Sequence, residues 1–152
     1  MSLIDLAQSE LIKTDLDKCL FHCIVDSKYY RPFSKKNGRP IYKSRGAKAR
    51  PFIGKSNELV AQELILAYEF KRKKPAKPLE GYIHCMYHFH FGPDISRSFH
   101  LCDLSNLFEI VSDSLQNAGV IANDRFIMSF DGSRKTLSPK SMLEVFILKY
   151  GL

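Results

Sequence analysis

Apolar and polar positions change period along this chain, and the changes mark out its elements. Over Cys19–Asp26 and again over Tyr82–Phe91 the side chains alternate with period two, which predicts strands. In the second run Ile83, Cys85, Tyr87, Phe89 and Phe91 form one face, and Tyr82, His84, Met86, His88 and His90 the other. Between them Val60, Ala61, Leu64, Ile65 and Tyr68 recur at helical spacing. Ser56 or Asn57 is placed to cap that helix, Lys71-Arg72-Lys73-Lys74 suits its C-terminal dipole, and Pro75 and Pro78 stop it. A second helix is predicted over Leu104–Asn117. Leu104, Leu107, Val111, Leu115 and Ala118 lie on one side, Asn106, Glu109, Asp113 and Gln116 on the other, and Gly119 follows as C′. Gly92–Phe99 reads as a loop. Arg125–Phe130, an Asp131-Gly132 turn and Leu143–Tyr150 predict two closing strands.

The order is therefore strand, basic segment, helix, strand, helix, strand, strand. It predicts an α+β fold (a mixed α/β sandwich): a small mixed sheet with two main helices packed on it. The chain has 152 residues, enough for one domain with its own core. Residues 19–152 read as that domain and residues 1–18 as an N-terminal extension, in which Leu3, Leu6 and Leu11 suggest a short amphipathic helix. The 45% hydrophobic and 26% charged fractions argue against global disorder. No run reaches the roughly 18 apolar residues of a membrane span, and MSLIDLAQSELIK lacks the pattern of a secretory signal. The expectation is a cytoplasmic protein with no membrane partner. Cys19, Cys23, Cys85 and Cys102 then read as reduced thiols packed in the core. Cys19 and Cys23 lie four residues apart on a strand, about 13 Å, too far for two thiolates to share one ion.

Charge changes the picture. Residues 27–77 hold 15 of the 23 Lys and Arg but only 3 of the 16 Asp and Glu, a local excess of +12 against +7 for the whole chain. Within it, residues 28–50 carry nine bases and no acid: Lys28, Arg31, Lys35, Lys36, Arg39, Lys43, Arg45, Lys48 and Arg50. Tyr29, Tyr30, Phe33 and Tyr42 are interleaved, and Asn37-Gly38 signals a turn of a hairpin or long loop. Such a block neutralises phosphates and releases counterions, and its aromatics suit stacking on splayed bases. The candidate DNA-binding residues are Lys28, Tyr30, Arg31, Lys35, Lys36, Arg39, Lys43, Arg45, Lys48, Arg50 and Lys55. His84, His88 and His90 share one strand face, expected to be partly exposed or turned toward DNA. His88 and His90, about 7 Å apart, are within chelating reach of each other.

The acids have their own pattern: Asp103-Leu104-Ser105-Asn106-Leu107, then Asp113, then Asn123-Asp124. Asp103 falls at a helix entry and Asp124 past the loop that returns the chain. Carboxylates converging from two such places suit Mg²⁺ or Mn²⁺, which take one or two protein carboxylates and fill the rest with water and phosphate. The same residues also fit a plain reading as N-cap, solvated face and turn.

In combination these pieces resemble the RusA family of Holliday-junction resolvases, dimeric Mg²⁺-dependent endonucleases. The family's core reads D-x-D-N-L-x-K, then D-A-L, a small residue and Gly, an apolar stretch and D-D. This chain has DLSNLFE, DSL, NAG, VIA and ND in that order, and Ser27-Lys28-Tyr29-Tyr30-Arg31 is similar to the family's segment after the first strand. The resemblance spans about residues 20–150. It implies a homodimer that resolves four-way junctions by paired phosphodiester hydrolysis, with no small-molecule cofactor beyond the metal ion. It matches Asp103 and Asp124 to metal ligands and Asn106 and Asp113 to helix positions of the motif. Catalytic roles then fall to Asp103, Asp124, Asn106 and Glu109. Two departures stand out. Ser105 replaces the second acid, and Glu109 replaces the lysine near the scissile phosphate. Glu109 then serves as a substitute ligand, is solvated, or reaches back to a helix-start amide. The alternative function is a DNA-junction-binding protein of this fold with weakened or lost cleavage.

Overall fold

The computed structural model describes residues 18–26, 41–43, 46 and 51–151. Strand β1 (Cys19–Asp26) is followed by a hairpin of two short strands, β2 (Ile41–Lys43) and β3 (Pro51–Ile53), and then helix α1 (Asn57–Lys73). Next come β4 (Ile83–Phe91), helix α2 (Leu104–Asn117), β5 (Ile127–Ser129), β6 (Arg134–Leu137) and β7 (Met142–Lys149). Short 3₁₀ turns at Ser96–Phe99 and Asp124–Phe126 flank α2. The fold is thus α+β: a five-stranded mixed sheet carrying two helices, with the β2–β3 pair as a separate two-stranded sheet.

The sheet runs β1-β7-β4, all antiparallel, with β5 and β6 both parallel to β4 along its other edge. Ile83 and His84 pair with β5, and His88–Phe91 with β6. Between the two, the Tyr87 amide donates to Ser133 Oγ at 3.0 Å and satisfies the ladder where no strand lies opposite. The expected strand 125–130 is shorter than its pattern: residues 124–126 form a 3₁₀ turn and only Ile127–Ser129 pairs. Strand β6 is an addition to the expected elements. Four residues with three polar side chains, Arg134-Lys135-Thr136-Leu137, carry no apolar alternation, and the sheet edge rather than the pattern makes them a strand.

The helix-facing side of β4 is as its alternation predicts: Ile83, Cys85, Tyr87, Phe89 and Phe91 are all fully buried. Tyr87 lies at the centre of an aromatic group, with ring centroids 6.4, 5.7 and 5.5 Å from Phe89, Phe108 and Phe130. Burial pushes Cys85 up to about 12 and Cys23 also upward, which suits inert core thiols. Cys23, Cys85 and Cys102 are buried, Cys19 is half-buried, and all four are thiols rather than disulfides.

Helix α1 corrects the reading of its own pattern. Ser56 is the cap, its Oγ accepting from the Leu59 amide at 3.2 Å. The buried row is Leu59, Leu66 and Phe70, whereas Val60, Leu64 and Tyr68 are 40%, 65% and 65% exposed. The helix carries two apolar rows, and the one broken by a charge, Glu63, faces inward. Glu63 is accommodated because Lys55 Nζ donates to it at 2.8 and 3.1 Å. Helix α2 keeps its predicted face, burying Leu107, Ile110, Val111, Leu115 and Ala118. It ends in a Schellman arrangement. Gly119, at φ +75°, donates to Gln116 O and Val120 to Leu115 O.

Residues 1–17 and 27–40, with the Asn37-Gly38 signal, lie outside the described residues. The described strands β2 and β3 pair antiparallel on either side of residues 44–50.

Candidate functional site

Asp103 occupies the N-cap position of α2, and its main-chain carbonyl accepts from the Asn106 and Leu107 amides at 3.1 and 3.3 Å. Its carboxylate does not cap the helix. Instead Asn106 Nδ2 donates to Asp103 Oδ2 at 3.3 Å, holding an exposed carboxylate at the positive end of the helix dipole. The plain reading of Asp103 as a side-chain N-cap is therefore incomplete: position and main chain fit it, the carboxylate does not.

The chain leading into α2 is fixed by a residue that the sequence does not single out. Lys135, on β6, donates through Nζ to Phe99 O and Cys102 O, both at 2.7 Å, and lies 4.9 Å from the centre of the Phe99 ring. Two main-chain acceptors and an aromatic face hold one ammonium, which ties the sheet edge to the residue next to Asp103. No spacing marks Lys135 in the sequence. Its role depends on β6, which the hydropathy pattern does not disclose.

Asp124 is held at the other end of α2. Its amide donates to Gln116 Oε1 at 2.9 Å. Gln116 lies thirteen residues beyond Asp103, roughly 20 Å along a helix axis at ~1.5 Å per residue. The main chain of Asp124 is thus tied to the Gln116 side chain, and among the described residues no hydrogen bond joins Asp124 to Asp103, the two carboxylates expected at one ion. Asp124 is instead close enough to Tyr87 to contribute to that phenol's high pKa. Burial is the main cause, Cys85 next, and the bond to Ser112 opposes both. Glu109 and Asp113 lie on the outer side of α2 between these ends, Glu109 exposed and Asp113 half-buried. Ser105, in the place of the second acid, is exposed.

The donor set at the head of α2 fits a hard divalent ion in one respect: an exposed carboxylate, oriented by a neighbour that leaves its own amide oxygen as a further acceptor. Among the described residues no three His, Cys, Asp or Glu groups cluster to hold a metal. A site at Asp103 would therefore draw most of its ligands from water and phosphate.

Of the DNA-binding candidates, Lys28, Tyr30, Arg31, Lys35, Lys36, Arg39, Arg45, Lys48 and Arg50 lie outside the described residues. Lys43 is the last residue of β2, opposite Pro51. Lys55 is paired with Glu63, which offsets its charge. At the C-terminal end of α1, Lys71, Arg72, Lys73 and Lys74 are all exposed.

The histidine face fits expectation at the half-buried His84 and His90 and departs from it at His88. His88 is buried rather than exposed. Its ring lies 5.2 Å from that of Phe146, and Nε2 is 3.1 Å from Gly132 O. Phe146, on the neighbouring strand, shields it, a relation that the alternation of β4 alone does not contain. His22 stacks on the same Phe146 and lies 2.9 Å from Glu144, whose other oxygen is 3.9 Å from His90.

No protein-family model matches this chain, and no curated protein matches it.

Proposed function

We propose that the chain is a RusA-like endonuclease for branched DNA. In this reading a homodimer grips the arms of a four-way junction with the bases of residues 28–50 and Lys71–Lys74, and hydrolyses phosphodiesters with Mg²⁺ or Mn²⁺ at Asp103. The observation that carries it is the Asp103 carboxylate, exposed at the head of α2, unused as a cap and oriented by Asn106. A helix start that needed only a cap would turn that carboxylate onto its own amides.

The geometry supports the following roles. Asp103 would hold the ion, which would polarise the phosphodiester and make its water more acidic. Asn106 fixes the carboxylate, and Lys135 fixes the turn that carries Asp103. The amide ends at the start of α2 favour an anion close by, as a phosphate requires. Asp124, whose amide donates to Gln116 Oε1, ties the chain after α2 to that helix.

A second reading is a junction-binding protein that does not cleave. Ser105 and Glu109 favour it, since the motif loses one carboxylate and gains a negative charge where the family has a lysine. The attachment of Asp124 to the Gln116 end of α2 favours it too. A synthetic four-way junction separates the readings. Preference over linear duplex with a chelator present, plus nicked product once Mn²⁺ is added, is the expected result. Preference without product supports the second reading, and no preference removes both.

A further inference from the structure

The turn that leads into α2 presents a side chain to which the proposed reaction gives no role. Phe99 O and Cys102 O both accept from Lys135 Nζ at 2.7 Å, so one ammonium draws the two ends of the turn together. His100 and Leu101 form its tip, and both are exposed. Phe99-His100-Leu101-Cys102 has no Gly, Pro, Asn, Asp or Ser, so its own residues do not favour a turn, and the clamp from β6 holds it instead. Cys102 packs inward at 6% exposure. The larger Leu101 stands in water at 75%, the highest value of any large apolar side chain among the described residues.

Leu101 is not an isolated apolar residue. Leu137, 58% exposed, lies two residues along β6 from Lys135, hence on the same side of the strand, and pairs in register with Phe91. The Phe91 ring and the Lys135 ammonium both lie against Phe99, at 5.5 and 4.9 Å from its centre. An aliphatic tip, fixed to the sheet through Lys135 and Phe99, thus projects two residues before Asp103.

We propose that Leu101 is a wedge that enters the base stack at the branch point, next to the phosphate brought to Asp103. Aliphatic side chains such as leucine insert between base steps and partly unstack them. The cost of unstacking is least where the stack is already interrupted, as at a branch. The clamp orders the turn before DNA arrives, so little freedom is lost on insertion. Leucine carries no charge and adds nothing to phosphate neutralisation, which the basic residues supply for any DNA. Leu101 therefore sets preference for branched over linear DNA rather than affinity in general.

This inference rests on the branched-DNA reading above and names the residue that reads the branch. A four-way junction with 2-aminopurine at the positions flanking the branch, bound by the full chain with a chelator present, tests it. Fluorescence at one of these positions is expected to rise several-fold over that of the free junction, as the labelled base loses a stacking neighbour, with no rise in linear duplex. Leu101→Ala is expected to lose the rise and to lower the preference for junction over duplex by roughly 10-fold, the low end of what burying a leucine contributes. Its affinity for linear duplex and its thermal midpoint should be unchanged. Leu101→Phe, which keeps an apolar wedge, is expected to retain the rise. A junction bound in preference to duplex with no rise at any position, or with the same rise in Leu101→Ala, overturns the wedge and leaves the branched-DNA reading in place. A lowered thermal midpoint in Leu101→Ala makes Leu101 a packing residue and overturns the wedge as well. Equal affinity for junction and duplex overturns both.

Discussion

The Asn106 side-chain amide donates to the Asp103 carboxylate across 3.3 Å, one helical turn apart at the head of α2. The carboxylate that the proposed reaction depends on is therefore aimed from within its own helix, and by a group that is itself only half-buried. This separates positioning from stability.

Asn106→Ala removes a partly exposed hydrogen bond, which contributes about 1 kcal/mol or less to folding. The thermal midpoint should hardly move. Junction cleavage should fall by on the order of 10²-fold, the effect of misplacing a reacting group by about 1 Å. Equal losses in both measurements would make Asn106 a structural residue only.

Tyr87 and Ser112 make the opposite case. Their hydroxyls lie 3.0 Å apart in the core and link β4 to α2. Tyr87→Phe leaves the Ser112 hydroxyl buried without that partner, at a cost of about 1–3 kcal/mol. Tyr87→Phe with Ser112→Ala should recover part of the loss. Urea unfolding of the two variants checks this, and a double variant no better than the single one would contradict it.

Acid should destabilise the sheet through its histidines. Burial lowers the pKa of His88, with Arg134 adding to it against the Gly132 carbonyl and Glu144. Burial also lowers that of His90, against Glu144. Unfolded, both take up protons near 6.5. As pH falls through that value the unfolded chain binds more protons than the folded one, so stability is full above about pH 7 and declines below it. His88→Phe loses its bond to Gly132 at every pH, yet its stability should fall less between pH 8 and pH 5 than that of the wild type. An unchanged slope would assign the acid sensitivity elsewhere.

These contrasts show what the sequence discloses and what it does not. The alternation of Ile83 to Phe91 specifies a strand and its buried face, because a five-residue aromatic and aliphatic row has no other place to go. The cap at Ser56 and the Schellman end at Gly119 are legible for the same local reason. The inward row of α1 is not, since Leu59-Glu63-Leu66-Phe70 is the less apolar of two rows and becomes favourable only because Lys55 pairs with Glu63. Strand β6 and Lys135 are invisible because they depend on the edge of β4. His88 reads as exposed because Phe146, which covers it, belongs to another strand. At the site, the motif identifies Asp103 and Asn106 as neighbours, but the anchoring of Asp124 beside Gln116 depends on the path of the loop after Gly119.

Binding to branched DNA should be strongly dependent on salt. If about six phosphates are neutralised by the basic block, log K falls with log salt at a slope near −5. Replacing Lys71–Lys74 by glutamines should make that slope shallower, by roughly one for each phosphate that these side chains neutralise. Affinity that barely responds to salt would remove the basic block as the DNA surface.

Cleavage of a synthetic four-way junction by the wild type and by Asp103→Asn, with Mg²⁺ and with Mn²⁺, tests the central claim most directly. With Ser105 in place of a second acid the ion has few protein ligands, and Mg²⁺, which dehydrates reluctantly, should suffer more than Mn²⁺. The predicted result is product that is stronger with Mn²⁺, lost in Asp103→Asn while junction binding persists, and improved with Mg²⁺ in Ser105→Asp. Metal-dependent cleavage that continues at the wild-type rate in Asp103→Asn would contradict the account.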